Sequence, residues 1–214
     1  AASDVAGGTV SYSLSGADAG SFSINSSTGV VTINAIPNYE AKSSYSFDVV
    51  ASDGTLSSTK AVTVSVSDVA PTISSGAAGS INEGSAAGST VYTAAAADPA
   101  GGTVSYSLSG ADAGSFSINS STGVVTINAI PDYEAKPSYS FNVVASDGTL
   151  SSTQAVTVSV ADVAPTISSG AVGSVTEGAA AGTTVYTTAA SDAAGGTVSY
   201  SLSGAAAGSF RINS

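Results

Sequence analysis

The 214-residue sequence contains no cysteine, histidine, methionine or tryptophan, and only four lysine and arginine residues. Without cysteine there is no disulfide framework and no thiolate metal site. Without histidine or cysteine, a serine nucleophile lacks its usual base, so we expect no enzyme activity. Fifteen acids give a net charge of −11, which argues against nucleic-acid binding because such proteins present a basic surface. The sequence has no run of about 18 apolar residues, so we expect no membrane span.

What the sequence does contain is a repeat of 94 residues. Tyr12 recurs as Tyr106 and Tyr200, and the segments 4–70 and 98–164 differ at six positions. Such a period indicates an array in which each unit mainly contacts its neighbours. Because the chain begins and ends within a repeat, we expect it to be part of a longer array. The predicted domains are a first repeat lacking its first strands (1–70), a complete second repeat (71–164) and the first half of a third repeat (165–214).

Within the second repeat, apolar residues alternate with serine and threonine, as in Val104-Ser105-Tyr106 and Val156-Thr157-Val158. This period of two indicates strands with one buried face. Turn residues such as Asp147-Gly148 separate the strands. We predict an all-β fold of tandem seven-stranded Greek-key β-sandwiches, stacked end to end. The predicted strands of the complete repeat are 72–82, 90–97, 103–109, 115–118, 123–128, 138–146 and 153–161.

The scarce acids of each repeat fall where a predicted strand ends or a turn begins. Their motifs, in order along the second repeat, are Ile81-Asn82-Glu83-Gly84, Ala97-Asp98 followed by Gly101-Gly102, Phe116-Ser117-Ile118-Asn119 leading to Thr122-Gly123-Val124, Asp132-Tyr133-Glu134, Ala145-Ser146-Asp147-Gly148, and Asp162 ahead of Pro165. With this order and spacing, the whole repeat resembles a cadherin-type domain, in the bacterial cadherin-like version of large extracellular surface and adhesin proteins.

The resemblance implies calcium at the joints between successive repeats, with ligands from both sides. The first joint would use Glu40, Asp68, Asp98 and Asp147, with Asn38 in place of a family aspartate. The second joint would use Glu83, Asp132, Glu134, Asp162 and Asp192. Asp4, Asp53 and Glu177 would belong to further joints on either side.

Elementary electrostatics also favours a cation at such clusters. Four or five converging carboxylates with no basic partner repel one another, by roughly 1 kcal/mol per pair at 4 Å in water. A hard divalent ion with six to eight oxygen ligands removes that repulsion, and calcium is the best candidate without sulfur or imidazole ligands. The linker Asp162-Val163-Ala164-Pro165 is shorter than the family pattern, and Ala100 stands where the family has a second aspartate. We therefore expect about one calcium ion per joint.

Other interpretations of the same residues remain open. Acids and asparagines also serve ordinary turns and solubility, and the recurring tyrosines would form either packing contacts or a sugar-binding platform. The predicted role is that of an extracellular structural or adhesive array, whose partners are neighbouring copies of the repeat. It would act as the spacer of a cell-surface adhesin or as the building block of an extracellular filament. The alternative is a carbohydrate-binding module of a secreted protein, with a surface polysaccharide as partner.

Overall fold

The computed structural model describes residues 7–212, whose regular secondary structure is almost entirely β-strand. Three short 3₁₀ helices cover Ala19–Ser21, Ala113–Ser115 and Ala207–Ser209. None of the helices within 7–212 is long and apolar enough to cross a membrane. The strands are β1 (Ser11–Ser15), β2 (Phe22–Ile24), β3 (Val31–Ile33), β4 (Ser44–Ser52), β5 (Ser57–Ser65), β6 (Thr72–Ile73), β7 (Ala78–Asn82), β8 (Thr90–Thr93), β9 (Ala96–Ala97), β10 (Ser105–Ser109), β11 (Phe116–Ile118), β12 (Val124–Ile127), β13 (Ser138–Ser146), β14 (Ser151–Ala161), β15 (Thr166–Ile167) and β16 (Ala190–Ser191).

The chain divides into two compact units. The first unit contains the described residues within Ala1–Ile73, together with Ala96–Ser105 and Ala145–Ser152. The second unit contains Ser74–Ala95, Tyr106–Val144 and the described residues within Thr153–Ser214.

The second unit is built around a β-sandwich of seven strands. One sheet has the order β10-β13-β14-β7, and the other has the order β11-β12-β8. Strand β7 runs parallel to β14, with Val160 opposite Ile81, whereas β8 and β11 flank β12 in antiparallel pairs. The all-β sandwich fold predicted from the alternation is thus confirmed. The core between the sheets contains, among others, Phe116, Val125, Ile127, Phe141, Val143, Val156 and Val158.

Two of the predicted strands are not continuous. The stretch 72–82 divides into β6 and β7, and the stretch 90–97 divides into β8 and β9, because each piece pairs with a different partner strand. At the interruptions, the N–H groups of Ser74 and Ser75 both donate to the Ala95 carbonyl oxygen, at 2.8 and 3.3 Å. The Ala94 N–H instead donates to the Gly123 carbonyl oxygen at 2.9 Å. In a regular β-ladder each backbone N–H pairs with its own carbonyl oxygen. Because two N–H groups share one carbonyl oxygen here, the ladder is interrupted and the strands end.

The turn between β11 and β12 is held by residues that recur in the turn between β2 and β3. The Asn119 side-chain oxygen accepts hydrogen bonds from the N–H groups of Ser121 and Thr122, both at 3.0 Å. Gly123 has a φ of +70°, and a Cβ there would lie 2.4 Å from the Ala94 carbonyl oxygen, so only glycine fits. Asn119 therefore has a clear role in holding this turn.

The first unit has a sheet with the order β1-β4-β5 and a separate antiparallel pair, β2-β3. Its residues repeat the sequence of β10–β14, and Phe22 packs on Phe47 with ring centroids 4.6 Å apart. Several apolar side chains facing its interior remain partly exposed, including Ile33 at 41%. The structural reason is that β5 and β3 lack neighbours equivalent to β7 and β8 among the described residues of this unit.

Residues 165–212 contain only the short pair β15-β16 and the last 3₁₀ helix, and most of their side chains are exposed. In the second repeat, the equivalent residues pair with β12, β13 and β14. Strands equivalent to β12, β13 and β14 are not among the described residues 165–212.

An ion pair fixes the same turn in the first and in the second repeat. Lys136 Nζ binds Asp112 Oδ1, and Asp112 Oδ2 accepts a hydrogen bond from the Ser140 N–H at 2.7 Å. Asp18 makes the same contacts with Lys42 and the Ser46 N–H. The hydrogen bond from Lys136, and then that from Ser140, lower the pKa of the Asp112 carboxyl, and the pKa of Asp18 is lowered in the same way. These acids, unassigned by sequence, thus hold turns in place.

We expect Asp112→Asn to destabilise the protein at pH 7, because asparagine cannot form the ion pair with Lys136. A carboxyl with a lowered pKa stabilises the fold above its unfolded value, about 3.9, and this contribution is lost as the pH falls through the lower folded-state value. The unfolding curves of variant and wild type should therefore converge below about pH 3.9. Asp48→Asn is the control, since its counterpart is already Asn142. A difference between Asp112→Asn and wild type that persists at low pH would contradict this assignment.

Candidate cation sites

The first candidate site lies within the first unit. Carboxylate oxygens of Glu40, Asp68 and Asp147 lie within 4.8 Å of one another. Glu40 comes from the turn before β4, Asp68 follows β5, and Asp147 follows β13. Asp98 lines the same depression, of about 230 Å³, as Glu40 and Asp68. All four residues predicted for the first joint are thus brought together.

Asp147 provides the test of whether this site fits a cation. Its Oδ1 accepts hydrogen bonds from the N–H groups of Thr149 (2.8 Å) and Leu150 (2.7 Å) and from the Thr149 hydroxyl (2.9 Å). Its Oδ2 is buried and has no hydrogen-bond partner. A buried carboxylate oxygen without a donor is unfavourable, and a metal ion would satisfy it. Thr149, which sequence reasoning missed, also hydrogen-bonds Asp68 Oδ2.

Asn38 and Glu40 show that the negative charge of this site is not balanced by a basic residue within 7–212. Asn38 Oδ1 accepts the Ala41 N–H at 2.8 Å, and its Nδ2 donates to the Ala100 carbonyl oxygen at 3.4 Å. The N–H of Glu40 itself lowers the pKa of the Glu40 carboxyl. Burial and the neighbouring Asp68 and Asp98 carboxylates nevertheless raise that pKa above its usual value. The site therefore holds mutually repelling negative charge in the absence of a cation.

The second candidate site lies within the second unit and is centred on Glu83. Carboxylate oxygens of Glu83, Asp132 and Glu134 lie within 4.8 Å of one another. Glu83 is only 3% exposed. Its Oε2 accepts the Tyr133 N–H at 3.1 Å, and its Oε1 accepts the Val163 N–H at 2.6 Å. Glu83 thereby connects the end of β7 both to the Asp132–Glu134 turn and to the linker after β14.

Asp162 and Asp192 complete the second set. Burial, followed by the Glu83 carboxylate and then Asp192, raises the pKa of the Asp162 carboxyl. The Glu134 N–H lowers the pKa of the Glu134 carboxyl, but burial and the charges of Glu83, Asp162 and Asp192 raise it overall. A Cβ placed on Gly196 would lie 3.2 Å from Asp192 Oδ1 and 3.6 Å from Glu134 Oε2. All five residues predicted for the second joint therefore converge.

Both sites have the donor set of a calcium site. Calcium–oxygen distances of about 2.3–2.6 Å allow one ion to bridge oxygens up to about 5 Å apart, which matches the spans of the two clusters. The ion pairs among the described residues involve Asp18 and Asp112, outside both clusters. Each cluster thus offers hard oxygen ligands without a competing lysine or arginine.

The acids predicted for further joints lie elsewhere. Asp53 Oδ1 accepts hydrogen bonds from the N–H and hydroxyl of Thr55 and from the Leu56 N–H, which lower the pKa of its carboxyl. Glu177 is exposed, and Asp4 lies outside the described residues. The structure thus gathers carboxylates at two of the predicted joints.

Comparison with known proteins identifies the family that has these features. The cadherin domain family matches residues 2–67 and 77–161, most of the chain. The chain belongs to the cadherin family. Protocadherin Fat 4 of Mus musculus and of Homo sapiens are each 33% identical to this chain over 147 residues. The match covers 64% of this chain and 3% of each relative, so the chain spans only a small fraction of their length.

Solved cadherin structures are also similar to the chain. Domains EC22–24 of mouse cadherin-23 match at 26% identity and a TM-score of 0.46, covering 96% of this chain and 73% of that one. Domains EC3–6 of protocadherin gammaB7, solved as a cis-dimer, match at 27% identity and a TM-score of 0.45, covering 86% and 51%.

Proposed function

We propose that the chain is part of an extracellular array of cadherin repeats, with boundaries at residues 70/71 and 164/165, that calcium stiffens at its joints. The observation that carries the proposal is the Asp147 carboxylate, whose buried Oδ2 has no hydrogen-bond partner and lies beside Glu40 and Asp68. Family membership and the second cluster around Glu83 support the same assignment.

The chain's own residues would position the ion in two ways. Backbone N–H groups hold Asp147 Oδ1 and both oxygens of Glu83 in fixed orientations, so that the carboxylates need little reorganisation on binding. When bound, calcium would neutralise the converging carboxylates and tie their strands and linkers together. Ligands supplied by segments far apart in sequence, such as Glu83, Asp162 and Asp192, would then lose their independent motion. A flexible linker would thereby become a fixed joint.

Within this function, we favour a repetitive spacer or filament over a unique recognition surface. Segments 4–70 and 98–164 differ at six positions only, so successive domains present nearly the same surface. The one-aspartate linker Asp162-Val163-Ala164-Pro165 is short, which suits a closely spaced array. A surface protein of the bacterial cadherin-like type, extending an adhesin from a cell or forming an extracellular fibre, would use such an array.

We expect calcium to lengthen and stiffen the 214-residue chain in solution scattering, compared with the same chain in chelator. Binding should be weak, with a Kd on the order of 10⁻⁴–10⁻³ M, as in other extracellular modules. Calorimetry should give about one ion per joint. The matched variants are Asp147→Asn, which should abolish binding at the first site, and Asp53→Asn, its counterpart outside the cluster. Unchanged scattering together with undetectable calcium binding would refute the proposal.

A further inference from the structure

Thr149 brings a hydroxyl group, rather than a carboxylate, to the first candidate site. Its Oγ1 lies 2.9 Å from Asp147 Oδ1 and also donates to Asp68 Oδ2. Asp147 precedes it in the turn after β13, whereas Asp68 follows β5 and lies 81 residues earlier than Thr149 in the sequence. The side chain of Thr149 therefore connects segments on opposite sides of the proposed boundary at 70/71.

Thr55, the counterpart of Thr149 in the first repeat, shows what the turn itself requires. Asp53 Oδ1 accepts hydrogen bonds from the N–H groups of Thr55 (2.8 Å) and Leu56 (2.7 Å) and from the Thr55 hydroxyl (2.8 Å). Asp147 Oδ1 receives the same three hydrogen bonds from its own turn. The bond to Asp68 is therefore an addition to a turn that forms in both repeats.

The Thr149 hydroxyl has a single proton, so it can donate to only one carboxylate at a time. Asp147 Oδ1 keeps two backbone N–H donors when the hydroxyl proton points elsewhere. Asp68 instead faces the Glu40 carboxylate in the same cluster, where a donor offsets the repulsion between the two charges. The proton consequently stabilises the site more on Asp68, in a charge-assisted hydrogen bond.

This hydrogen bond leaves room for a cation, because a carboxylate has two oxygens. Asp147 uses Oδ1 for its hydrogen bonds, while its buried Oδ2 has no partner. Asp68 can act in the same way, with Oδ2 on Thr149 and Oδ1 available to an ion. A ligand that is already held by one oxygen loses less freedom when the other oxygen binds. Thr149 is thus placed to orient Asp68 in advance.

Asn38 makes a second direct contact across the same proposed boundary. Its Nδ2 donates to the Ala100 carbonyl oxygen at 3.4 Å, while its Oδ1 accepts the Ala41 N–H at 2.8 Å. Asp132, the counterpart of Asn38 in the second repeat, keeps the equivalent bond to the Ala135 N–H at 2.9 Å. An ionised aspartate cannot donate, however. The amide at position 38 therefore exchanges a negative charge for a hydrogen-bond donor.

We propose that Thr149 and Asn38 are positioning residues, which hold the first joint in its calcium-binding geometry before calcium arrives. The linker remains mobile without calcium, but its mean geometry is already that of the bound joint. Calcium then adds to two existing hydrogen bonds and needs to order little of the chain. The effect on calcium affinity rests on the proposed function, whereas the two hydrogen bonds act in chelator as well.

Thr149→Val and Thr149→Ser test the hydroxyl, because valine keeps only the branched shape and serine keeps the hydroxyl. We expect Thr149→Val to weaken calcium binding at the first site about tenfold, as the loss of a hydrogen bond to a charged group would do. Serine should restore most of the affinity. The amide NMR signal of Gly148, next to Asp147, reports on the first site during the titration.

Thr55→Val is the matched control, because it removes the same hydrogen bond within a turn and leaves Asp68 untouched. Calcium binding at the first site should be unchanged in this variant. In chelator, solution scattering should show a broader range of distances for Thr149→Val than for wild type, Thr149→Ser and Thr55→Val. This second measurement is independent of any calcium ion.

Asn38→Asp should have effects of opposite sign in the two conditions. In chelator the range of distances should broaden, because the donor to Ala100 is lost and a repelling charge is added. In calcium, binding should tighten, because the cluster gains a carboxylate ligand. A residue that served only the local turn would produce neither effect, since aspartate keeps the bond to the Ala41 N–H.

The proposal is overturned if Thr149→Val binds calcium as tightly as Thr55→Val or wild type, or more tightly. It is also overturned if neither Thr149→Val nor Asn38→Asp changes the scattering in chelator. A wild-type chain that binds no calcium would refute the proposed function. The scattering in chelator would then decide by itself whether these two residues hold the joint.

Discussion

Glu83→Ala is expected to lower the free energy of unfolding of the second unit by about 2–4 kcal/mol in chelator. The substitution leaves the N–H groups of Tyr133 and Val163 without their acceptor. A buried donor that loses its partner costs about 1–3 kcal/mol, and Glu83 is only 3% exposed. The loss should be visible as a lower midpoint in chemical unfolding. In calcium the loss should be larger, because the variant also lacks a ligand of the second site.

Glu83→Gln separates the structural role of Glu83 from its role in binding. Glutamine keeps the shape and one acceptor oxygen, so its cost in chelator should be smaller than that of alanine. Relief of repulsion with Glu134 and Asp162 reduces the cost further. Both variants should nevertheless lose the stabilisation that calcium gives the wild type, which grows with the ratio of free calcium to Kd.

The control for both variants is Glu177→Ala. Glu177 is the counterpart of Glu83 in the third repeat and is exposed there. Its replacement should leave stability in chelator unchanged within about 0.5 kcal/mol. A calcium response that survives Glu83→Gln would remove Glu83 from the ligand set. A loss in Glu177→Ala as large as in Glu83→Ala would contradict the structural role.

The strands that sequence alone predicted well are those with strict alternation. Strand β13 has the predicted bounds, 138–146, because Tyr139, Phe141, Val143 and Ala145 all face one side. The division of 90–97 was not predictable, since its alanines continue across the break, whereas Ser74-Ser75-Gly76 marks the break within 72–82. What ends those strands is the choice of partner: Ala94 donates its N–H to Gly123, which belongs to a hairpin about 30 residues later. Alternation specifies which face is buried, but not which strand lies alongside.

The candidate sites were likewise predictable from the sequence only in part. Their carboxylates were predicted by resemblance, through motifs such as Asp132-Tyr133-Glu134, and the structure brings those residues together. The orphaned Asp147 Oδ2 and the bridging hydroxyl of Thr149 depend on the fold of one turn, which no spacing of acids reveals. The Asp18–Lys42 pair could have been found, because Asp112 and Lys136 repeat the same separation of 24 residues. A conserved separation of opposite charges in a repeat is a usable signal.

Phe141→Ala and Phe47→Ala should differ in cost although the two residues are counterparts. Phe141 packs against Phe116 and Tyr92, with ring centroids 4.8 and 6.4 Å apart, inside a closed core. Its removal leaves a cavity, and Phe→Ala changes in such cores cost about 3–5 kcal/mol. Phe47 packs against Phe22 and is 4% exposed, but it lines an apolar groove of about 560 Å³ that is open to solvent. Its removal should cost about 1.5–3 kcal/mol, the value for transfer without a cavity.

Hydrogen exchange can measure the stability of each unit separately in each variant, because the amides of β13 report on the second unit and those of β4 on the first. Equal losses in dilute chelator would mean that the first groove is already closed. The stability lost in Phe47→Ala thus measures how well the core of the first unit is shielded from water.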